Sequence, residues 1–244
     1  MAAIVALGVR LAVAAPEIAV DVGHGLIDGG AVSARGRNEF DFNRDLAEQV
    51  QGALLARGFR VRPVNFDGAI RELTERPRAA AGADFFIAIH HDSVQAHWLQ
   101  PWVWQGENRD YSDRYQGFSL FVSRLSPDLD YSLRCASILG ASLRLAGFVP
   151  ADHHADPYPG NTRSWADRDN GVYFYDRLVV LYRTTLPAVL FEAGVIKHRD
   201  EELALRDPQR QARMADALGM GLQACLGLAR KPAVAGDDAA PAAR

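Results

Sequence analysis

The sequence predicts a single α/β domain, with a sheet covered by helices on both faces. Three observations carry this. Short apolar runs rich in β-branched and aromatic residues recur at residues 18–22, 84–90 and 187–192, the length of buried strands rather than of helices. Between them lie longer segments with apolar residues at helical spacing. No internal repeat and no second apolar core breaks the alternation, so residues 16–230 read as one domain.

The first run, Ile18-Ala19-Val20-Asp21-Val22, stops at Gly23-His24-Gly25, where two glycines let the chain turn on either side of a histidine. A polar loop follows, with Asp28-Gly29-Gly30 as a turn signal. Asn38 and Asp41 are candidate caps for a helix whose apolar stripe is Leu46, Ala47, Val50 and Leu54, ended by Gly58. Phe59-Arg60-Val61-Arg62 reads as an alternating strand, and residues 69–81 as a polar helical stretch interrupted by Pro77. The run at 84–90 ends on His90. Residues 97–116, which hold Trp98, Trp102 and Trp104, read as a long loop. Residues 117–122 are a strand candidate, and Ala136, Leu139, Leu143 and Ala146 then mark a helix closed by Gly147. Residues 152–170 read as a second loop, and 173–182 as either strand or helix. The run from Pro187 ends on Glu192. Asp207-Pro208 caps a last helix with Met214, Leu218, Leu222 and Cys225 on its stripe.

A net charge of −3, with 23% charged residues, argues against a nucleic-acid binder. Residues 1–15 form an apolar run too short to span a bilayer, so no integral membrane segment is expected. Ala12-Val13-Ala14 resembles the small-x-small pattern of a secretory signal, although a basic start is missing; the run is read as such a signal, with an apolar first strand as the alternative. Residues 231–244 have the composition of a disordered tail. The two cysteines, Cys135 and Cys225, fall in segments read as helices, without CxxC spacing, and are read most simply as small buried apolar residues, with a disulfide as the alternative.

Two strands ending in histidine and one ending in glutamate place chemistry-bearing side chains where open α/β sheets collect ligands. Glu192 closes an apolar run, where a carboxylate needs a partner. Two imidazoles and a carboxylate make a hydrolytic zinc site with an open position, and a further glutamate beside it serves as general base.

The pieces Asp21-Val22-Gly23-His24-Gly25, Asp28-Gly29-Gly30-Ala31, Asn38-Glu39-Phe40, Ile89-His90-His91-Asp92-Ser93 and Pro187-Ala188-Val189-Leu190-Phe191-Glu192-Ala193-Gly194 resemble, in order, the zinc-dependent N-acetylmuramoyl-L-alanine amidases of the type-3 family. The resemblance implies a mixed, mostly parallel sheet flanked by helices. It implies zinc (Zn2+) bound by His24, Glu39 and His90, with Glu192 as the catalytic glutamate. It further implies peptidoglycan as substrate, cut between N-acetylmuramic acid and the L-alanine of the stem peptide, and a periplasmic or secreted enzyme of the bacterial envelope.

The chain departs from the family pattern at Leu26, at His91 and after Gly194. Strand alternation by itself leaves His90 and His91 as competing ligands, and only the family register selects His90. Asp21 is either an orienting partner of a ligand or a strand-end hydrogen-bonding group. His153 and His154, with Asp152 and Asp156, form a second group of metal-type side chains, read as a solvated loop. The tryptophans stack on sugar rings or pin the loops to the body. The loops at 97–116 and 152–170 are a lid, an autoinhibitory plug or a surface for an activator protein. The competing functional readings are a zinc peptidase acting on stem peptides and a catalytically silent peptidoglycan-binding module.

Overall fold

In the computed structural model, residues 14–157 and 162–227 are described. The signal-like run, apart from residues 14 and 15, and the proposed disordered tail lie outside them.

Buried β-branched and aromatic runs build the centre of a seven-stranded sheet. In chain order its strands are β1 (Glu17–Val22), β2 (Arg60–Val64), β3 (Phe85–Asp92), β6 (Ser119–Val122), β7 (Ser164–Asp167), β8 (Val172–Phe174) and β9 (Ala188–Val195). The spatial order is β2-β1-β3-β9-β6-β8-β7. The pairs β2-β1, β1-β3, β3-β9 and β6-β8 are parallel, and β9-β6 and β8-β7 are antiparallel. The sheet is therefore mixed and mostly parallel, as the sequence implied. β4 (Gln100–Trp104) and β5 (Glu107–Tyr111) form a separate hairpin.

The two faces of the sheet are covered unequally. Ile18, Val20, Val22, Ile87, Ile89, Val189 and Phe191 pack into the larger core with the apolar stripes of three long helices. These are α1 (Glu39–Ala56), α3 (Leu129–Leu145) and α6 (Pro208–Gly227). The opposite face carries Ala19, Phe86, Ala88, Phe121, Tyr173 and Leu190, covered near α2 (Glu75–Ala80) and α4 (Val179–Tyr182) by Ala80, Val180 and Leu181. The seven-residue α5 (Arg199–Leu205) completes the helices.

Several expectations need correction. Pro77 does not interrupt a helix; it sits in the first turn of α2, where a missing N–H costs nothing because those donors have no intrahelical partner. Residues 97–116 are not simply a loop. Pro101, Trp102, Val103 and Trp104 pair with Asp110, Arg109, Asn108 and Glu107 respectively across a tight turn. That turn is made by Gln105 and Gly106, both at positive φ (51° and 83°), as a two-residue hairpin loop demands. Residues 152–170 contain β7 and a 3-10 turn at His153–Ala155. The ambiguous segment 173–182 divides into the end of β8 and α4. Asn38 is at the cap position of α1, but its side chain makes no capping bond.

Cys135 and Cys225 are not separate apolar residues but a disulfide, joining α3 to α6 with a Cα–Cα distance of 5.3 Å. The crosslink spans 90 residues, and constraining a loop of that order in the unfolded chain is worth about 4–5 kcal/mol in the entropic account. Replacing both cysteines by serine is expected to lower unfolding stability by about 2–5 kcal/mol, read as a shift of the denaturation midpoint. Reducing agent should produce the same shift in the unmodified chain and none in the double variant. An unchanged midpoint in both would show that the bridge does not form.

Candidate active site

The site is built where β1, β3 and β9 reach the carboxyl end of the sheet. β1 delivers His24 just beyond its last residue, in the left-handed region at φ 62°, a conformation that costs a non-glycine residue energy and persists only when the surroundings enforce it. The enforcement is visible. Asn65 Nδ2 donates to the carbonyls of Val22 and His24 at 2.8 and 2.6 Å. The buried guanidinium of Arg76 donates to the same two carbonyls and pairs with Asp21 at 3.0 Å. Asp21 thus acts on His24 through Arg76 and the backbone, not by touching the ring.

β3 delivers His90. In the parallel register His90 lies directly beside Glu192 of β9, so both side chains leave the sheet on the thinly covered face. His91 points the other way. It is buried against Phe42, with Nδ1 2.8 Å from Asn43 Oδ1, and burial pushes its pKa down to about 3. It is a neutral core histidine, which separates it physically from His90.

α1 supplies Glu39 from its first turn, where the helix dipole favours an anion. Its Oε2 is 3.1 Å from His24 Nε2, and its Oε1 is 3.0 Å from His90 Nδ1. The Ala31 N–H and the Asn43 amide donate to the same carboxylate, and Asn43 also reaches the Gly23 carbonyl at 3.1 Å. Burial acts against the Glu39 charge, but the hydrogen bonds and charges of His24 and His90 outweigh it and hold the carboxyl well below its usual range. The same contact acts on His24: burial disfavours its charged form, and Glu39 overrides this and raises its pKa.

One potential ligand atom from each of His24, Glu39 and His90 falls in a group within 4.8 Å, a His-carboxylate-His donor set suited to a divalent transition metal. Two glycines make the convergence possible. A Cβ on Gly23 would stand 2.3 Å from the His90 ring, and one on Gly30 (φ 74°) 2.6 Å from both Glu39 Oε2 and the His24 ring. The preceding loop is anchored remotely by buried Glu202, which accepts from Ser33 Oγ at 2.7 Å and pairs with Arg35 at 2.8 Å.

Glu192 stands beside this group with Oε2 buried and without a hydrogen-bond partner. Burial first, then the charges of Asp92 and Glu39, raise its pKa well above the ordinary carboxylate value. It faces a cleft of about 550 Å3 also lined by His24, His90 and Asp21, with apolar walls from Ile27, Ile70, Leu73, Leu178 and Val179, and with Arg71. The tryptophans are not in its lining. Trp102 donates to the Ala34 carbonyl at 3.0 Å and stacks on Trp104, while Trp165 stacks on Tyr173 at 3.9 Å. Their placement matches loop pinning.

The structure therefore gathers all four residues singled out from the sequence. Sequence reading missed Arg76, Asn43 and Asn65, which orient them. Arg76 and Asn65 act on residues 41 or more positions away, and Asn43 on Gly23 twenty positions away as well as on Glu39 one helical turn before it.

Comparison with known proteins identifies the relatives. The N-acetylmuramoyl-L-alanine amidase family profile matches residues 18–224. The sequence matches no curated protein. Among solved structures, the N-acetylmuramyl-L-alanine amidase Ami1 from Mycobacterium smegmatis is similar, at 20% identity and a TM-score of 0.69, covering 88% of this chain and 98% of that one. The catalytic domain of the amidase CwlV from Bacillus (Paenibacillus) polymyxa var. colistinus has 24% identity and a TM-score of 0.66, covering 87% and 98%. The CwlD amidase from Clostridioides difficile, solved in complex with the GerS lipoprotein, has 19% identity and a TM-score of 0.64, covering 87% and 98%. At these identities the structural likenesses establish a shared fold.

Two predictions follow from the geometry. Gly23→Ala is expected to displace the His90 ring and to weaken, by about 10–100-fold, the hold of the His24-Glu39-His90 group on an added divalent transition metal, as for disturbed supports of metal ligands. Calorimetric titration measures this, with circular dichroism reporting an unchanged fold; unchanged affinity would contradict the steric argument. Arg76→Ala leaves Asp21 buried and unpaired and is expected to cost about 3–5 kcal/mol, read from urea denaturation. A loss under about 1 kcal/mol would mean that the pair is not a buried clamp.

Proposed function

Because the chain belongs to the N-acetylmuramoyl-L-alanine amidase family, whose reaction is hydrolysis of the bond between N-acetylmuramic acid and the L-alanine of the peptidoglycan stem peptide, we propose that it does this as a zinc enzyme. His24, Glu39 and His90 hold the ion, and Glu192 handles the protons. The observation that carries the reading is Glu192 Oε2, buried without a hydrogen-bond partner among the described residues, in the lining of the cleft beside a His-Glu-His donor set.

The residues fit the metal. Both imidazoles present a ring nitrogen to the same carboxylate, and the group leaves a side open to the cleft. When bound, zinc supplies Lewis acidity and makes water acidic near neutral pH. The protein's own part is to position and to move protons. The apolar walls of Ile70, Leu73, Leu178 and Val179 hold the amide and limit competing water. Glu192 takes the proton of the attacking water and returns it to the nitrogen of the departing L-alanine. Arg71 on the cleft wall offers a guanidinium to an acidic stem peptide.

The proposal extends to place and partners. A disulfide between α3 and α6 agrees with an oxidising, periplasmic or secreted setting. Among the described residues no helix is long and apolar enough to cross a membrane. The lipoprotein complex of CwlD supports including an activator protein among this chain's partners.

Glu192→Gln is expected to retain the ion and lose about 10²–10⁴-fold in rate, the usual worth of general acid–base catalysis. Mass analysis of material released from purified peptidoglycan measures it, alongside quantified zinc. The unmodified chain should release stem peptides beginning with free L-alanine. Released peptides without that terminus would overturn the assigned bond, and unchanged turnover in the variant would overturn the role of Glu192.

A further inference from the structure

We propose that Asp92, His153 and His154 form a second divalent-metal site, distinct from the His24-Glu39-His90 group and sharing no residue with it. The ion class is a zinc-like transition metal, which two imidazoles and one carboxylate favour over calcium or magnesium.

Sequence reading placed His153 and His154 in a solvated loop with Asp152 and Asp156. The structure corrects both points. His153 is only 5% exposed, and the acidic partner is Asp92, some 60 residues away at the end of β3. A register shift against β9 between His90 and Asp92 re-aims the strand end. Asp92 Oδ1 is used locally, accepting from the Ser93 N–H at 2.7 Å. Its Oδ2 is the convergence point, 3.0 Å from His153 Nε2 and 2.6 Å from His154 Nε2. Each of the three residues offers one ligand atom, and these atoms lie within 4.8 Å of one another. Ligand atoms around a tetrahedral zinc with ~2.0–2.1 Å bonds stand about 3.3 Å apart, so small adjustments seat an ion.

His153 gives the independent observation. Its Nε2 faces Asp92 Oδ2 at 3.0 Å, and its Nδ1 has no hydrogen-bond partner among the described residues. An ion between Nε2 and the Asp92 carboxylate would satisfy both groups at once. His154 is held in place by edge contacts to Phe121 and Tyr173, with ring centroids 4.9 and 5.3 Å apart.

Space and surroundings also fit. A cavity of about 150 Å3 adjoins the group, lined also by Ser93, Gln95, Trp98 and Asp156, enough for an ion with coordinating water. Arg163 lines it too, but its guanidinium lies over the Tyr175 ring at 3.7 Å, and Asp92 and Asp156 offset its charge. An ion here fastens the 3-10 turn His153–Ala155 to the carboxyl end of β3, two positions beyond His90, so it serves to hold that end of the strand.

The test counts and locates ions in the full chain, loaded with zinc and freed of excess by gel filtration. Elemental analysis is expected to give two zinc ions per chain, falling to one in His154→Gln and to one in His24→Asn. Zinc-edge anomalous diffraction from crystals of the unmodified chain should show one peak between His24, Glu39 and His90 and another between Asp92, His153 and His154. The map decides the matter even where a variant does not fold. A map without the second peak overturns the proposal, as does zinc content that His154→Gln leaves unchanged. Loss of the first peak alone would instead count against the zinc-amidase reading and leave this one standing.

Discussion

A buried carboxylate must be surrounded by donors or cations, and Glu39 meets that demand by drawing three elements together. Two histidines, the Ala31 N–H and the Asn43 amide all converge on it. β1 ends at one histidine and β3 carries the other, while α1 supplies the glutamate itself. The turn between β1 and α1 is therefore not free to wander. It has to bring Ala31 back over Glu39, and only residues as small as Gly23 and Gly30 leave room for the rings and the carboxylate at such close approach.

Supports further out convert that convergence into fixed geometry. Asn65 and Arg76 grip the backbone of Val22 and His24 from the face opposite α1. Asn43 spans the gap on the α1 side, fixing Glu39, the Gly23 carbonyl and His91 at once. Each support hydrogen-bonds backbone or ligand side chains without entering the donor set. The left-handed backbone at His24 is thus held from both sides, and ring orientation follows from backbone orientation. Such pre-organisation is what a metal-assisted hydrolysis needs, because its donors must not reorganise during reaction.

Sequence carried the parts of this arrangement that are local. Apolar alternation marked β1, β3 and β9, and their terminal His24, His90 and Glu192 stood out because strand ends in open sheets are where ligands gather. The hairpin β4-β5 was hidden because its aromatic alternation sits among polar residues, and its turn uses Gln105 rather than asparagine or aspartate. The disulfide was hidden because Cys135 and Cys225 also fit apolar stripes, and only the packing of α3 on α6 brings them together. Arg76 looked like one more charge in a polar stretch. Its burial depends on Asp21, 55 positions earlier, and no local pattern encodes a partner at that distance.

The unequal faces of the sheet explain why chemistry collects on one of them. Long helices seal the side that holds Ile87, Ile89 and His91, and a histidine pointing there becomes neutral core. The side that holds Ala88, His90 and Leu190 is covered by helices of only four and six residues, which leave a cleft beside His90 and Glu192. Asp92 has the same parity along β3 as His90 but lies beyond the register shift, displaced toward the His153–Ala155 turn. One strand end thus presents its even-numbered side chains to two different environments. The shift separates them, with Asp92 facing His153 and His154 while His90 faces Glu39. Asp92 turns instead to His153 and His154, and Glu192 Oε2 stays uncommitted among the described residues, as the proton transfer proposed for it requires.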